Sequence, residues 1–558
     1  MSAFSGYRAD PAAAAAYRAA GWWGDDTIAS VVARHAEANP DAPAYIADGR
    51  RYTWSEYDRD SDTIARVLLA GGHRSGDRIA VMMPDGPAVH AVFLAIEKAG
   101  LVAVGIGARA GDREVAHLLG LTGASVLVTT PDQHDRDASQ VVADVSALGA
   151  SVERLILVGR DAAVVDAALP AGSDIDWQAA LDPLDSDTLF LLNSTSGTTG
   201  LPKCVMHTQN RWFYFHQLAA AAGGFGTDEV FMGALPAPFG FGLWTAHFTP
   251  AILGCPTVVM ERFDADAALD LIERERVTVL CCVSTQFIMM LNAQAQRPRD
   301  LSSLRSMFTG GEAVPFERAA EFEKATGAKV LQFYGSNETG ALSHTSYATD
   351  RETRLRTAGH VIDEMQVRLL DPETLLDVDA GVDEGQPACR GPATALGYWG
   401  DEGANAKLFT EDGWMLMGDI VRIDAAGVVT VIGRTSDFII RGGKNISAPA
   451  VEAEIATHPA VAMVAAVAWP DPVFGERVCA YVELHAGASL TLEELAGHLR
   501  NRSVSREWWP EHLVVLDALP RSSGGKVAKG ELKADAQRRS QELSPHDDGR
   551  AAEASGPA

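Results

Sequence analysis

The chain has 558 residues, 47% of them hydrophobic and 22% charged, a composition that excludes a mainly disordered or fibrous protein. At roughly 100–200 residues per domain, this length asks for more than one domain, most simply a large one followed by a smaller one. Lys and Arg number 47 against 74 Asp and Glu, a formal net charge of -27. That argues against duplex nucleic acid or an anionic membrane surface as the main partner, because both require a basic face, whereas a few local cations and backbone N–H groups can still hold a small phosphate.

Met1 to Ala20 lacks the charged-then-apolar layout of a signal peptide. The longest apolar stretch, Ala91 to Gly105, is interrupted by Glu97 and Lys98, so no run reaches the roughly 18–20 residues of a membrane span. The cysteines are Cys204, Cys255, Cys281, Cys282, Cys389 and Cys479. None forms a CxxC or sits at zinc-finger spacing, so they read as reduced core thiols of a cytoplasmic protein rather than as metal ligands or disulfides.

No repeat of 20–50 residues is visible. Over the first 430 or so residues, helical and strand-like stretches alternate. Thr63–Leu69 and Pro87–Lys98 carry helix-spaced apolar positions; Arg78–Met83, Ser125–Thr130, Arg154–Val158 and Thr278–Val283 are β-branched runs of buried-strand type. The alternation predicts α/β layers with mostly parallel sheets. Near Gly433 the character changes to a compact α+β unit. It reads as a strand Phe438–Arg441, a Gly442–Gly443 turn, a helix from Pro449, strands Val461–Ala468 and Val478–Leu484, a helix Leu492–Arg500, a strand Leu513–Leu516 and a loop Ser522–Gly525. The polar, acidic end from Ser540 on reads as a disordered tail.

Four segments carry chemistry. In Leu189-Phe190-Leu191-Leu192-Asn193-Ser194-Thr195-Ser196-Gly197-Thr198-Thr199-Gly200-Leu201-Pro202-Lys203 an apolar strand enters a loop of hydroxyls and glycines that ends in a lysine. Such a loop can cradle a phosphate. It lacks the Gly-Lys-Ser/Thr of the common P-loop, and a plain surface loop is the alternative. In Phe333-Tyr334-Gly335-Ser336-Asn337-Glu338-Thr339-Gly340, Tyr334 can stack on a base and Glu338 can bind Mg²⁺, an oxygen-seeking ion; taken alone, the segment reads rather as a strand-end turn with a solvated Glu. Asp419 can accept both hydroxyls of a ribose, with Arg434 and the Arg441-Gly442-Gly443-Lys444 turn following. Finally, Arg521-Ser522-Ser523-Gly524-Gly525-Lys526 places a lysine on a small-residue loop, from which it can swing into a site as a point charge. Each of the last two is, singly, ordinary turn chemistry.

In this order and at these separations the segments resemble the adenylate-forming superfamily, in its acyl/aryl-CoA synthetase branch, over roughly residues 25–535. The stretch Glu97-Lys98-Ala99-Gly100-Leu101-Val102-Ala103-Val104 adds to the likeness, and Tyr17-Arg18-Ala19-Ala20-Gly21-Trp22-Trp23 is similar to the start of aryl-acid-activating members. The resemblance implies a large N-terminal domain of layered α/β subdomains over 1–435, a small mobile α+β C-terminal lid over 436–540 and a tail over 541–558. It implies ATP, Mg²⁺ and coenzyme A as co-substrates and cofactors. A carboxylate attacks the α-phosphate of ATP, pyrophosphate leaves, and a thiol captures the acyl-adenylate.

By that similarity Thr195, Ser196, Gly197, Thr198, Thr199, Gly200 and Lys203 grip the β- and γ-phosphates. Glu338 holds Mg²⁺, with Asn337 beside it donating to phosphate. Tyr334, next to Gly335, lies against adenine. Gly311 and Glu312 border the base and the acyl pocket. Asp419 takes the ribose hydroxyls, assisted by Arg434. Lys526, the catalytic lysine, reaches the carboxylate and the α-phosphate, where a fixed cation stabilises developing charge. For thioester formation the family rotates its small domain about a hinge at Ser436, and Gly442 and Gly443 line the pantetheine tunnel. Ser436 stands where relatives carry Asp or Lys, and Asn337 where many carry Thr.

The acyl wall aligns with Leu235-Pro236-Ala237-Pro238-Phe239-Gly240-Phe241-Gly242-Leu243. Phe239, Gly240 and Phe241, with Gly310 and Ser336, are the candidate acid-binding residues. The wall lacks both the Asp of amino-acid-activating members and the His-Asn of dihydroxybenzoate-activating ones. Phe239, Phe241 and Trp244 suit an apolar cyclic, aryl or medium-length acyl group; for Phe241 and Trp244 a plain core role is the alternative. The expected partner is a small carboxylic acid, with no nucleic acid and no integral membrane; a homodimer is left open. The rival readings are loading of a carrier-protein phosphopantetheine, luciferase-like oxidation and a nucleotide-binding scaffold without turnover.

Overall fold

The computed structural model describes residues 8–133, 136–166, 181, 183–195, 201–311, 314–434, 437–441, 444–521 and 526–543. The chain divides into two compact units, Met1–Thr435 with Arg521–Lys526, and Ser436–Pro520 with Val527–Ala558.

The larger unit holds two large sheets. One has seven strands in the order Cys204–Thr208, Leu189–Ser194, Val102–Gly105, Arg78–Met82, Val126–Thr129, Arg154–Val158, Val164–Asp166. Its five inner strands are parallel and its two edge strands antiparallel. Parallel strands covered on both faces read as unbroken apolar runs rather than alternating ones, and Leu189–Ser194 is buried at every position. The second sheet has nine strands in the order His360–Val361, Gly340–His344, Lys329–Ser336, Ser306–Gly310, Val279–Cys281, Phe231–Gly233, Thr257–Val258, Pro43–Ala47, Arg50–Thr53. It is parallel from Lys329–Ser336 through Pro43–Ala47.

The helix Pro87–Lys98 has the predicted bounds, begins with Pro in its first turn and is buried at every position. That includes Glu97 and Lys98, the two ionisable residues that break the apolar run. The Lys98 ammonium donates to Asp58 Oδ1 at 2.7 Å and Asp62 Oδ1 at 2.6 Å, and Glu97 Oε1 accepts from the Ala29 N–H at 3.1 Å. Buried charges require such partners. The stretch Thr63–Leu69 is the end of a longer helix, Trp54–Ala70, fixed by a reciprocal Thr53/Glu56 cap.

A third sheet, Gln366–Leu370, Glu384–Arg390, Asp419–Ile423 and Val429–Arg434, with Met415–Leu416 paired to the second strand, is wholly antiparallel. The mostly parallel expectation did not contain it. Its last two strands are joined by a tight turn in which Gly427 adopts φ +78° and Val428 N–H donates to Asp424 Oδ1. So short a connection permits only antiparallel neighbours.

The smaller unit is α+β. Its sheet runs Lys444–Ser447, Phe438–Arg441, Gly475–Leu484, Val461–Asp471, with His512–Leu516 parallel to Gly475–Leu484. Ile439, Ile446, Val451, Ile455, Val478, Val482, Leu495 and Leu499 form its core. A final helix spans Lys529–Leu543. It carries the first residues of the expected tail; the rest of the tail lies outside the described residues. All six cysteines are buried and free, and burial pushes the thiols of Cys204, Cys281 and Cys389 upward. Among the described residues no helix is long and apolar enough to cross a membrane.

Candidate active site

The strand Leu189–Ser194 and its neighbour Cys204–Thr208 are antiparallel, and Thr195 N–H donates to the Lys203 carbonyl at 2.9 Å. The two strands thus form a hairpin, which Thr195 and Lys203 extend by one further bond. Ser196, Gly197, Thr198, Thr199 and Gly200 lie outside the described residues, as do Glu312, Ser436, Gly442 and Gly443.

Lys203, at the foot of this hairpin, stands over the Tyr398 ring, its Nζ 4.6 Å from the centroid. The Tyr398 hydroxyl donates to Glu338 Oε1 at 2.7 Å. Burial first, and the Glu338 charge second, raise the phenol far above its ordinary value, so it stays a donor. Tyr398 is held by an amide clamp. Asn405 Oδ1 accepts its N–H and Asn405 Nδ2 donates to its carbonyl, both at 2.8 Å. Its segment lies along the strand Cys204–Thr208, with Leu396 N–H donating to Met206 O and Trp399 N–H to Cys204 O.

Glu338 sits in the turn between Lys329–Ser336 and Gly340–His344. The Ser336 hydroxyl accepts from Glu338 N–H at 3.2 Å and Thr339 N–H at 3.1 Å, and Ser336 N–H donates to Thr339 Oγ1. Ser336, expected to touch the acid, has its acceptor capacity committed to shaping this turn. Gly335 and Gly340 are required by close approach: a Cβ at 335 would run into the Gly340 carbonyl, and one at 340, where φ is +68°, into that of Ala393. Ala395 N–H donates to the Glu338 carbonyl at 2.7 Å. The residues fit a Mg²⁺ ion, which takes few protein ligands and keeps waters and phosphates. Glu338 offers a hard carboxylate with one oxygen held by Tyr398, and no group of three or more ligating side chains is found among the described residues.

A second cluster joins Tyr334, Asp419 and Arg434. Tyr334 donates to Asp419 Oδ2 at 2.9 Å, and Arg434 Nε lies 3.3 Å from Asp419 Oδ1, the two residues being register partners. Burial, reinforced by the Asp419 charge, holds the Tyr334 phenol well above its usual range. Asp419 therefore has one donor on each oxygen.

Gly310 ends a strand beside Phe333, and a Cβ there would stand 2.5 Å from the Phe333 carbonyl. Gly311 follows with φ +80°, and its carbonyl accepts from Lys526 Nζ at 2.7 Å. At the acyl wall, Phe239 precedes a helical turn, Gly240–Gly242, that runs into a six-residue π-helix, Leu243–Phe248; such elements are frequent at functional sites. Phe241 is half-buried and packs edge-on to Trp244 at 5.2 Å. Trp244 is core: it is 3% exposed and lies among Phe215, Phe308 and Phe333.

The sequence reading missed Tyr398, Asn405 and three fully buried residues, Asn193, His207 and Arg211. Arg211 Nε donates to the Ala393 carbonyl and Nη1 to the Asn337 carbonyl, both at 2.9 Å. Burial pulls its pKa down, and the Glu338 carboxylate pulls it back up. A fully buried arginine amid polar neighbours is a signal, but sequence alone gives no sign of burial.

A family model described as AMP-binding enzyme matches residues 32–399, and one described as AMP-binding enzyme C-terminal domain matches residues 450–526. The chain is 32% identical over 539 residues to a medium-chain fatty-acid–CoA ligase of Escherichia coli (strain K12), covering 94% of this chain and 93% of that one. It is 31% identical over 532 residues to the salicyl-AMP ligase / salicyl-S-ArCP synthetase of Mycobacterium tuberculosis, covering 92% of each. The crystal structure of ATP-bound MatB from Rhodopseudomonas palustris is similar at a TM-score of 0.78 and 27% identity, over 92% of this chain and 99% of that one.

Proposed function

The chain belongs to the AMP-binding enzyme family, in the acyl/aryl-CoA synthetase branch of the adenylate-forming enzymes, and on that premise we propose that it activates an apolar cyclic, aryl or medium-chain carboxylic acid as acyl-AMP and transfers it to coenzyme A. The observation that carries this reading is the Lys203–Tyr398–Glu338 constellation. It sets a cation, beside the hydroxyl-rich hairpin, next to an oriented carboxylate, as binding a triphosphate with its metal requires. Relatives named for a medium-chain fatty acid and for salicylate support the acid class.

In this reading a carboxylate oxygen of the acid bonds to the α-phosphorus, the bond to the bridging oxygen breaks and pyrophosphate leaves. Thr195 through Gly200 and Lys203 hold the β- and γ-phosphates, Glu338 would hold Mg²⁺, and Asp419 with Arg434 orients the ribose. Bound there, the ion would supply charge neutralisation of the leaving pyrophosphate. Lys526 stabilises charge on the α-phosphate oxygens. The thiol sulfur then bonds to the acyl carbon, AMP departs, and the thiol proton is lost to solvent.

A carrier-protein phosphopantetheine is the second acceptor, favoured by the relative named for salicyl-S-ArCP synthesis. Incubation with ATP, Mg²⁺ and a panel of apolar acids, with CoA or a pantetheinyl carrier protein as acceptor, tests both. Thioester on CoA at sub-millimolar concentration supports the first reading. Thioester on the carrier alone replaces it with the second, and no AMP with any acid removes both.

A further inference from the structure

We propose that Arg211, acting through His207 and Asn193, is a positioning residue that ties the Asn337–Glu338 turn to the acyl wall at Pro238–Gly240, so that metal–nucleotide binding and acid selection depend on one buried hydrogen-bond chain. The proposal deepens the reading above and rests on it for the roles of Glu338 and the wall.

The chain can be followed atom by atom. Asn193 Nδ2 donates to the Pro238 carbonyl at 3.2 Å. The Asn193 carbonyl oxygen then faces His207 Nε2 at 2.8 Å. An oxygen there requires the imidazole to carry its proton on Nε2, which leaves Nδ1 a lone pair. Arg211 Nη1 donates to that lone pair at 2.7 Å and to the Asn337 carbonyl at 2.9 Å. The donors along this path all point one way, from Arg211 to Pro238; the other terminal nitrogen, Arg211 Nη2, is buried with no hydrogen-bond partner among the described residues. The three side chains are fully buried and come from adjacent strands of the seven-stranded sheet and from the helix Gln209–Gly223 that follows them. Asn337 belongs to a turn of the nine-stranded sheet.

A second contact closes the same circuit. A Cβ at Gly240 would occupy the position of Asn337 Oδ1, and would stand 3.4 Å from Trp212 Cη2. Trp212 in turn stacks on His207, centroids 5.3 Å apart. The Asn337 amide thus fills the space that a side chain at 240 would need, a second close contact between wall and turn. Nor is stability a sufficient reason for burying a guanidinium: apolar residues of similar volume commonly serve the fold as well or better. A planar fork joining three fixed acceptors instead sets geometry.

The test uses His207→Phe, which keeps the ring on Trp212 but cuts both hydrogen bonds, and His207→Gln, whose amide can donate to Asn193 and accept from Arg211. Affinity for α,β-methylene-ATP is measured calorimetrically with and without Mg²⁺. ATP–pyrophosphate exchange gives the kcat/KM ratio between two acids of different length. His207→Phe is expected to reduce the Mg²⁺-dependent gain in affinity about tenfold, the order one hydrogen bond to a charged group carries, and to narrow the acid ratio several-fold. His207→Gln is expected to restore both. If His207→Phe fails to fold, Arg211→Lys decides in the same way, because it keeps the charge but not the fork. A folded His207→Phe or Arg211→Lys with an unchanged Mg²⁺ gain and acid ratio overturns the inference. So does an equal loss in the Phe and Gln variants. Absence of exchange with every acid in the unsubstituted chain, while Mg²⁺ still strengthens analogue binding, would count against the functional reading and leave the binding arm to judge the chain.

Discussion

Tyr398 donates to Oε1 of Glu338 at 2.7 Å from a segment sixty residues further along the chain. The same ring lies under the Lys203 ammonium, so one aromatic residue fixes the spacing between the cation at the hairpin foot and the carboxylate of the turn. Substituting Tyr398 with Phe keeps the ring and removes the hydrogen bond. The expected result is a weaker grip on Mg²⁺–ATP, with KM for the nucleotide raised roughly fivefold to tenfold, the order one charged hydrogen bond carries, and little change in KM for the acid. Steady-state kinetics with each substrate varied in turn checks this.

Glu338→Gln keeps the turn, because Ser336 and Thr339 shape it through the backbone, but removes the negative charge. The expectation is a higher Mg²⁺ requirement for both analogue binding and exchange, with the order of preference among acids retained. A reordered acid panel would show that the carboxylate does more than hold the metal.

Lys526→Ala is expected to slow adenylation by roughly 10²–10³-fold, as for loss of one fixed donor at a developing charge, and to spare thioester formation from a supplied acyl-adenylate. Measuring the two half-reactions separately decides it: equal loss in both would contradict the assignment of this lysine to the first alone.

Glu97 gives a pH prediction. Burial pushes its carboxyl up to about 7 from 4.5, against the opposing hydrogen bond from Ala29 N–H and the charge of Lys98. The folded state therefore keeps a proton that the unfolded chain loses above about 4.5. The contribution is complete below that pH and is lost as pH rises to about 7. It amounts to something of the order of 3 kcal/mol, at about 1.4 kcal/mol per pKa unit. Glu97→Gln should flatten the fall in thermal midpoint across this window; an identical pH profile in both proteins would refute the assignment.

Much of the fold was legible because local and tertiary demands agree. Pro87–Lys98 is fully buried, begins with Pro and needs no partner to declare itself a helix; Phe438–Arg441 reads as a strand from its run of Phe and two Ile, β-forming residues, although only Ile439 is buried. The third sheet was not legible, because its strands show mixed burial and gain their meaning from pairing across turns. In the site, Tyr334, Glu338 and Asp419 stood out as polar residues at strand ends. Tyr398, His207 and Arg211 did not, because their roles arise from long-range contacts that no spacing encodes. For Trp244 sequence left two alternatives, because an aromatic beside a wall segment looks the same whether it lines a pocket or, as here, packs in the core.

The central claim is that the acid's own oxygen becomes bonded to the α-phosphorus of ATP. Supplying a turned-over acid with ¹⁸O in its carboxylate and analysing the nucleotide product by mass spectrometry tests it directly. The account predicts AMP carrying one ¹⁸O atom for each thioester formed. Unlabelled AMP, or ADP with the label in orthophosphate, would contradict it.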